Sequence, residues 1–128
     1  MAKAGNNRPP DPTEDEIQAT FVEWAYLNER AHPELRMIYA VPNGGQRSIT
    51  TAVRLKRTGV KAGVPDICLD AARGGYHGLR LEFKRGSRGV VSPQQKWWHE
   101  ELKKEGYFVA IVRSFEEAVT ETIKYIGI

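Results

Sequence analysis

The sequence predicts an α/β fold, one domain with a mixed central β-sheet flanked by helices. Three observations carry that expectation. Short apolar runs rich in β-branched and aromatic residues alternate with segments whose apolar side chains recur every three or four positions. Thr13, Ser48 or Thr50, Ser92 and Ser114 stand where helix N-caps belong, each just ahead of such a segment. The chain has 128 residues, 41% hydrophobic and 27% charged, which suffices for one hydrophobic core but not two and argues against a disordered chain.

Residues 1–12 are rich in Pro, Gly, Asn and charge and read as a flexible tail, leaving 13–128 as a single domain. Thr13 and Glu16 have capping-box spacing, and Ile17, Phe21, Trp24 and Leu27 follow at helical intervals until Pro33 forbids continuation. Arg36 to Val41 reads as the first strand, closed by the turn signal Pro42-Asn43-Gly44-Gly45. A second, basic helix runs from its Ser48 or Thr50 cap to about Thr58, where Gly59 ends it. Val64 to Leu69 and Leu79 to Lys84 form a hairpin around a glycine-rich loop. Ser92, Pro93 and Gln95 supply an N-cap, a first-turn proline and an N3 glutamine for a helix that closes at Gly106. Tyr107 to Val112 suits a buried strand, and Ser114 with Glu117 opens the last helix, whose inner stripe is Phe115, Ala118, Val119, Thr122, Ile123 and Ile126.

Composition excludes several classes of function. One cysteine, Cys68, rules out an internal disulfide and a thiolate zinc cluster, so any metal must sit on oxygen ligands. The longest apolar stretch, Phe108 to Val112, is far short of the roughly 20 residues of a membrane span. With no signal-peptide pattern, a cytoplasmic address is expected. The glycine pairs lack the lysine and hydroxyl of a P-loop, so no nucleotide cofactor is implied. His32, His77 and His99 show no metal-ligand spacing and receive no role. The net charge is only +3, yet from Leu35 through Pro65 there is no acidic residue, and Arg36, Arg47, Arg54, Lys56, Arg57 and Lys61 all fall there. Such a stretch favours a polyanion, although a solvated basic face would look the same.

The chemistry concentrates in the hairpin. Side chains alternate along a strand, so Glu82 and Lys84 share a face while Leu81 and Phe83 point the other way. Strand pairing would bring Asp66 near Glu82, and two carboxylates plus water suit Mg²⁺. A hard cation polarises a phosphate oxygen and acidifies bound water, and an adjacent ammonium can position the nucleophile or neutralise transition-state charge. An ordinary surface ion pair between Glu82 and Lys84 is the plainer alternative. Asp70, on the same strand face as Asp66, is a lesser candidate for metal contact.

Gly63-Val64-Pro65-Asp66, Glu82-Phe83-Lys84 and Ser92-Pro93-Gln94-Gln95, in this order, resemble the signature of the VRR-NUC branch of PD-(D/E)XK nucleases. Glu16 and Gln18 match that branch's early helix, and the resemblance runs from about residue 13 to 113. It implies a restriction-endonuclease-like core and a Mg²⁺- or Mn²⁺-dependent endonuclease. Asp66, Glu82 and the backbone carbonyl of Phe83 would hold the metal, Lys84 would be the catalytic lysine, and Glu16 would contribute from the first helix. Gln95, on the face of Trp98 and Leu102, fits the family glutamine better than Gln94. Arg47, Arg54, Lys56, Arg57, Lys61, Arg85 and Arg88 are the candidate DNA contacts. Standalone domains of this branch resemble phage and bacterial junction resolvases, which implies branched DNA such as four-way junctions as substrate, a homodimer, and a bacterial or phage-infected host cell. Trp97, beside the inward Trp98, is left at the margin of its helix, where it could anchor an interface or pack at the edge of the core. The alternatives are a non-catalytic nucleic-acid-binding module, or a nuclease with flap or other DNA or RNA specificity.

Overall fold

The computed structural model describes residues 10–42 and 48–127. Residues 1–9 of the tail expected at 1–12, the turn at Asn43 to Gly45 and the candidate contact Arg47 therefore lie outside the described residues.

Helix α1 (Glu14–Leu27) starts at Thr13, whose hydroxyl accepts the Glu16 N–H at 3.1 Å. It ends before Pro33 is reached, because both the backbone and the side-chain amide of Asn28 donate to carbonyls of its last turn. Its buried line is Ile17, Phe21 and Ala25, and Leu27, expected inside, is 69% exposed. A 3-10 turn over Pro33–Met37 absorbs the first two residues of the expected strand, leaving β1 as Ile38–Ala40. Helix α2 (Ile49–Arg57) follows, capped by Ser48. It buries no residue, and Ile49 and Val53 are left exposed.

Strands β2 (Ile67–Leu69) and β3 (Leu79–Phe83) pair antiparallel, as the hairpin reading required. Helix α3 (Pro93–Lys104) opens on a complete capping box between Ser92 and Gln95. Strand β4 (Phe108–Val112) returns parallel to β3, since a helical crossover between neighbouring strands restores the strand direction. Helix α4 (Phe115–Ile126) closes the domain. The sheet order is β1-β2-β3-β4 with β1 antiparallel to β2, so the sheet is mixed.

The two faces of the sheet differ in chemistry. Ile67, Leu69, Leu79, Leu81, Phe83 and Val112 pack against Ile17 and Phe21 of α1 and Ala118 and Tyr125 of α4. Tyr125 replaces Ile123 on the inner stripe of α4, and its phenol donates to the Ala71 carbonyl at 2.5 Å. An aromatic that carries its own hydrogen bond inward can outcompete an aliphatic neighbour for a buried position. Strand β4 is less buried than its apolar run suggested, with Ile111 41% exposed, because among the described residues it has a neighbouring strand on one side only. The opposite face carries Cys68, Arg80, Glu82 and Lys84, and α3 reaches Glu82 there through Gln95 and His99.

Candidate active site

The register of the hairpin builds the site. Ile67 pairs with Leu81 and Cys68 with Arg80. One step further along, Asp66 faces Glu82. The Asp66 carbonyl turns away to accept the Val41 N–H at 2.9 Å, while the N–H of Lys84 turns away to the Val112 carbonyl at 3.0 Å. Asp66 and Glu82 thus oppose each other as a non-hydrogen-bonded pair, the arrangement in which cross-strand side chains approach most closely. Another step sets Pro65 opposite Phe83. Proline has no N–H to offer the Phe83 carbonyl, and the Phe83 N–H is taken by Asp66 Oδ2 at 2.8 Å. Pro-Asp therefore does two things here: it stops the ladder, and it anchors one carboxylate oxygen on the opposite strand.

Glu82 is 1% exposed and Lys84 6% exposed, while Asp66 is half-buried. Burial pushes the Glu82 carboxyl above the ordinary carboxylate range; a hydrogen bond with Asp66 and the Lys84 charge oppose the rise, and Glu14 adds to it. Both Glu82 oxygens are engaged from α3. Oε1 lies 3.0 Å from His99 Nε2, and Oε2 accepts from Gln95 Nε2 at 3.3 Å. The other end of the Gln95 amide accepts the Ser92 N–H at 2.9 Å, so the side chain that caps α3 also reaches into the site. Burial pushes the His99 imidazole down, and the charges of Lys103 and Lys84 push it the same way against Asp66.

Two carboxylates and a backbone carbonyl opposite a proline are oxygen donors of the kind hard divalent cations take, so Asp66, Glu82 and the Phe83 carbonyl are the groups that could hold one. Among the described residues no three of His, Cys, Asp and Glu converge as a ready-made metal cluster. A third protein donor would have to be that backbone carbonyl.

A family model for the VRR-NUC domain matches residues 6–116. The chain belongs to the VRR-NUC family. A solved structure, "VRR_NUC domain protein", is similar to it at 35% identity and a TM-score of 0.77, covering 91% of this chain and 90% of that one. A search of curated proteins finds no match. VRR-NUC is a PD-(D/E)XK nuclease-like domain, so this is a nuclease-type domain, and the expected restriction-endonuclease-like fold is the one observed.

Within this VRR-NUC domain the sequence-selected residues divide into two groups. Asp66, Glu82, Lys84 and Gln95 come together, with the Phe83 backbone between them. Glu16 does not join them: it is exposed and lines a cavity of about 420 Å³ with Thr20, Gly86 and Arg113. Residues two apart on a helix point about 200° apart, and it is Glu14 that turns toward the site, with Oε1 3.4 Å from the Arg85 N–H and an influence on Glu82. Asp70 is paired with Arg80 at 3.1 Å, and Arg80 in turn lies 4.4 Å over the Tyr107 ring. His99, for which no role was expected, contacts Glu82. The available signal was its spacing, four residues after Gln95 and therefore on the same face of α3.

Arg54, Lys56, Arg57, Lys61, Arg85 and Arg88 are all exposed. The Arg85 guanidinium donates to the Asp11 carbonyl at 2.9 Å, tying residues before α1 to the end of β3. Trp97 is 57% exposed and meets Trp98 edge to face at 5.3 Å. Among the described residues no helix is long and apolar enough to cross a membrane.

Proposed function

We propose that this domain is a Mg²⁺- or Mn²⁺-dependent endonuclease that hydrolyses DNA phosphodiesters, selects branched DNA such as four-way junctions, and works as a homodimer. The observation that carries the chemical reading is a trio at the end of the hairpin: half-buried Asp66 facing buried Glu82 across it, with buried Lys84 on the same face. Burying a carboxylate and an ammonium is expensive, and at an exchange of about 1–4 kcal/mol apolar residues of similar volume often serve stability as well or better. Their retention here is explained by chemistry.

Asp66, Glu82 and the Phe83 carbonyl would hold the cation, which when bound polarises a phosphate oxygen and acidifies water. Lys84, withdrawn from solvent, would offer its ammonium to the charge that develops on a pentacoordinate phosphate, where water screens it least. Gln95 holds the second oxygen of Glu82 and, through its neutral amide, can orient water or a phosphate oxygen. The exposed cations of α2 and the flanking Lys61, Arg85 and Arg88 supply sequence-independent phosphate contacts.

The dimer reading rests on geometry. One domain with one site cuts one strand per encounter, whereas paired incisions need two sites in fixed relation, which a two-fold axis provides. The exposed Trp97, on the helix that carries Gln95 and His99, supports an interface close to the site. The test is incubation with Mg²⁺ or Mn²⁺ and a panel of single strands, duplexes, flaps and four-way junctions, alongside light scattering at micromolar concentration. A dimer that cuts junctions is expected. A monomer that cuts flaps but spares junctions defeats the substrate and assembly readings, and metal-independent binding without cleavage leaves a nucleic-acid-binding module.

A further inference from the structure

We infer that His99 is a positioning residue for Glu82, fixing the carboxylate in the orientation that ligates the metal. The inference builds on the metal site proposed above and extends it to a side chain that touches neither substrate nor cation.

Glu82 sits mid-sheet with 1% of its surface exposed, so solvent does little to orient it. Its two oxygens are held by two residues one helical turn apart on α3. Gln95 shares its amide between the cap of α3 and Oε2, at 3.3 Å, whereas His99, 6% exposed, lies 3.0 Å from Oε1. His99 is thus the shorter and more deeply buried of the two restraints. A metal-ligating carboxylate is ionised and can only accept, so the neutral imidazole must carry its proton on Nε2 and donate it to Oε1. This is the reverse of the common arrangement in which a carboxylate orients a ligating histidine, but the physical logic is the same: an outer hydrogen bond removes rotational freedom from an inner ligand. A leucine at position 99 could fill much of the space without burying a polar ring. An imidazole there is best explained by the bond it makes.

The experiment reads cation affinity, not turnover. Mn²⁺ alone is titrated calorimetrically into the full chain without DNA, for the wild type, His99→Leu and His99→Gln. Glutamine can place an N–H near the position of the imidazole Nε2. Loss of an outer-shell partner should weaken Mn²⁺ binding by about tenfold or more in His99→Leu, with His99→Gln restoring most of it. Metal-free melting curves separate this effect from unfolding. Should His99→Leu fail to fold, the wild type still decides: its histidine ¹⁵N resonances are recorded with and without Mg²⁺, the His99 signal being the one absent from His99→Gln. A shift of the His99 Nε2 resonance on adding Mg²⁺ is expected. Unchanged Mn²⁺ affinity in folded His99→Leu, or an unmoved His99 resonance in a wild type that binds Mg²⁺, overturns the positioning role alone. A wild type that binds neither cation overturns the metal site itself and His99's role with it.

Discussion

Gly63 couples the strand that presents Asp66 to the helix that presents Gln95. It adopts φ +92°, and a Cβ built there would lie 2.6 Å from the backbone carbonyl carbon of Gln94 and 2.8 Å from its oxygen. Gly63→Ala therefore imposes two costs. Placing an L side chain at positive φ costs about 1–2 kcal/mol. Relieving the collision costs about 1–3 kcal/mol more, since the obstacle is backbone in the first turn of α3 and not the end of a flexible side chain. The sum, about 2–5 kcal/mol, is a large share of the roughly 5–15 kcal/mol that stabilises a domain. Gly75→Ala separates the two costs. Gly75 has φ +84° but nothing within 4 Å of its virtual Cβ, so only the backbone cost should appear. Urea denaturation should place Gly63→Ala about 1–3 kcal/mol below Gly75→Ala, the expected contact cost. Cleavage assayed well below both melting points should fall in Gly63→Ala alone, because pushing Gln94 away carries Gln95 off Glu82. Equal destabilisation by the two alanines, with equal activity, would refute the coupling and mean that the connection between α2 and β2 yields freely.

Four further outcomes follow from the same geometry. Asp66→Asn, Glu82→Gln and Lys84→Ala should each abolish cleavage while DNA binding persists, and near-normal turnover by Glu82→Gln would remove the proposed site; Gln95→Ala should slow the reaction without ending it. Replacing Arg54, Lys56 and Arg57 together by alanine should lower the salt slope of DNA binding by about three units, roughly one per phosphate contact, and an unchanged slope would make α2 a merely solvated surface. Burial raises the Glu82 carboxyl above its ordinary value. Its contribution to metal-free stability is therefore fully present below the unfolded carboxylate value and is lost as pH rises through the folded one. Stability measured by denaturation across acid to neutral pH should show that loss in the wild type and not in Glu82→Gln, and Mg²⁺ should offset it at neutral pH; identical profiles in the two proteins would contradict the assigned environment.

Much of this architecture was legible because local chemistry and global packing agree. Ser92-Pro93-Gln94-Gln95 specifies a helix start on local terms alone, and the capping box forms as read. The hairpin was legible because Leu79, Leu81 and Phe83 alternate with Arg80, Glu82 and Lys84, a period that only a strand satisfies. Residues whose placement depends on distant partners were harder to read. The 3-10 turn over Pro33–Met37 is accompanied by an ion pair between Glu34 and Arg73 at 2.7 Å, a contact across 39 residues. Choosing between Glu14 and Glu16 required knowing which side of α1 faces the end of β3. The spacing of His99 from Gln95 places it on the same face of α3, but a lone histidine there is compatible with either packing or function, and the contact with Glu82 decides.

The apolar face of the sheet does more than stabilise the domain. Asp66 and Glu82 oppose each other only in the register that pairs Ile67 with Leu81. A slip by one residue would exchange the two faces of β3, driving Glu82 and Lys84 in among Phe21, Ala118 and Tyr125 and setting Leu81 and Phe83 against the polar side chains of α3. The cost would combine desolvation of two charges separated from their partners with buried polar groups of Gln95 and His99 left without theirs. The site's own bonds, several of them modest and one at 3.3 Å, need not hold the register by themselves. Leu79, Leu81 and Phe83, none more than 1% exposed, hold it from the other side. The hydrophobic alternation that makes β3 a strand is thus also what aligns the carboxylates, which is how a short edge-to-edge pairing of three-residue β2 can position a site buried this deeply.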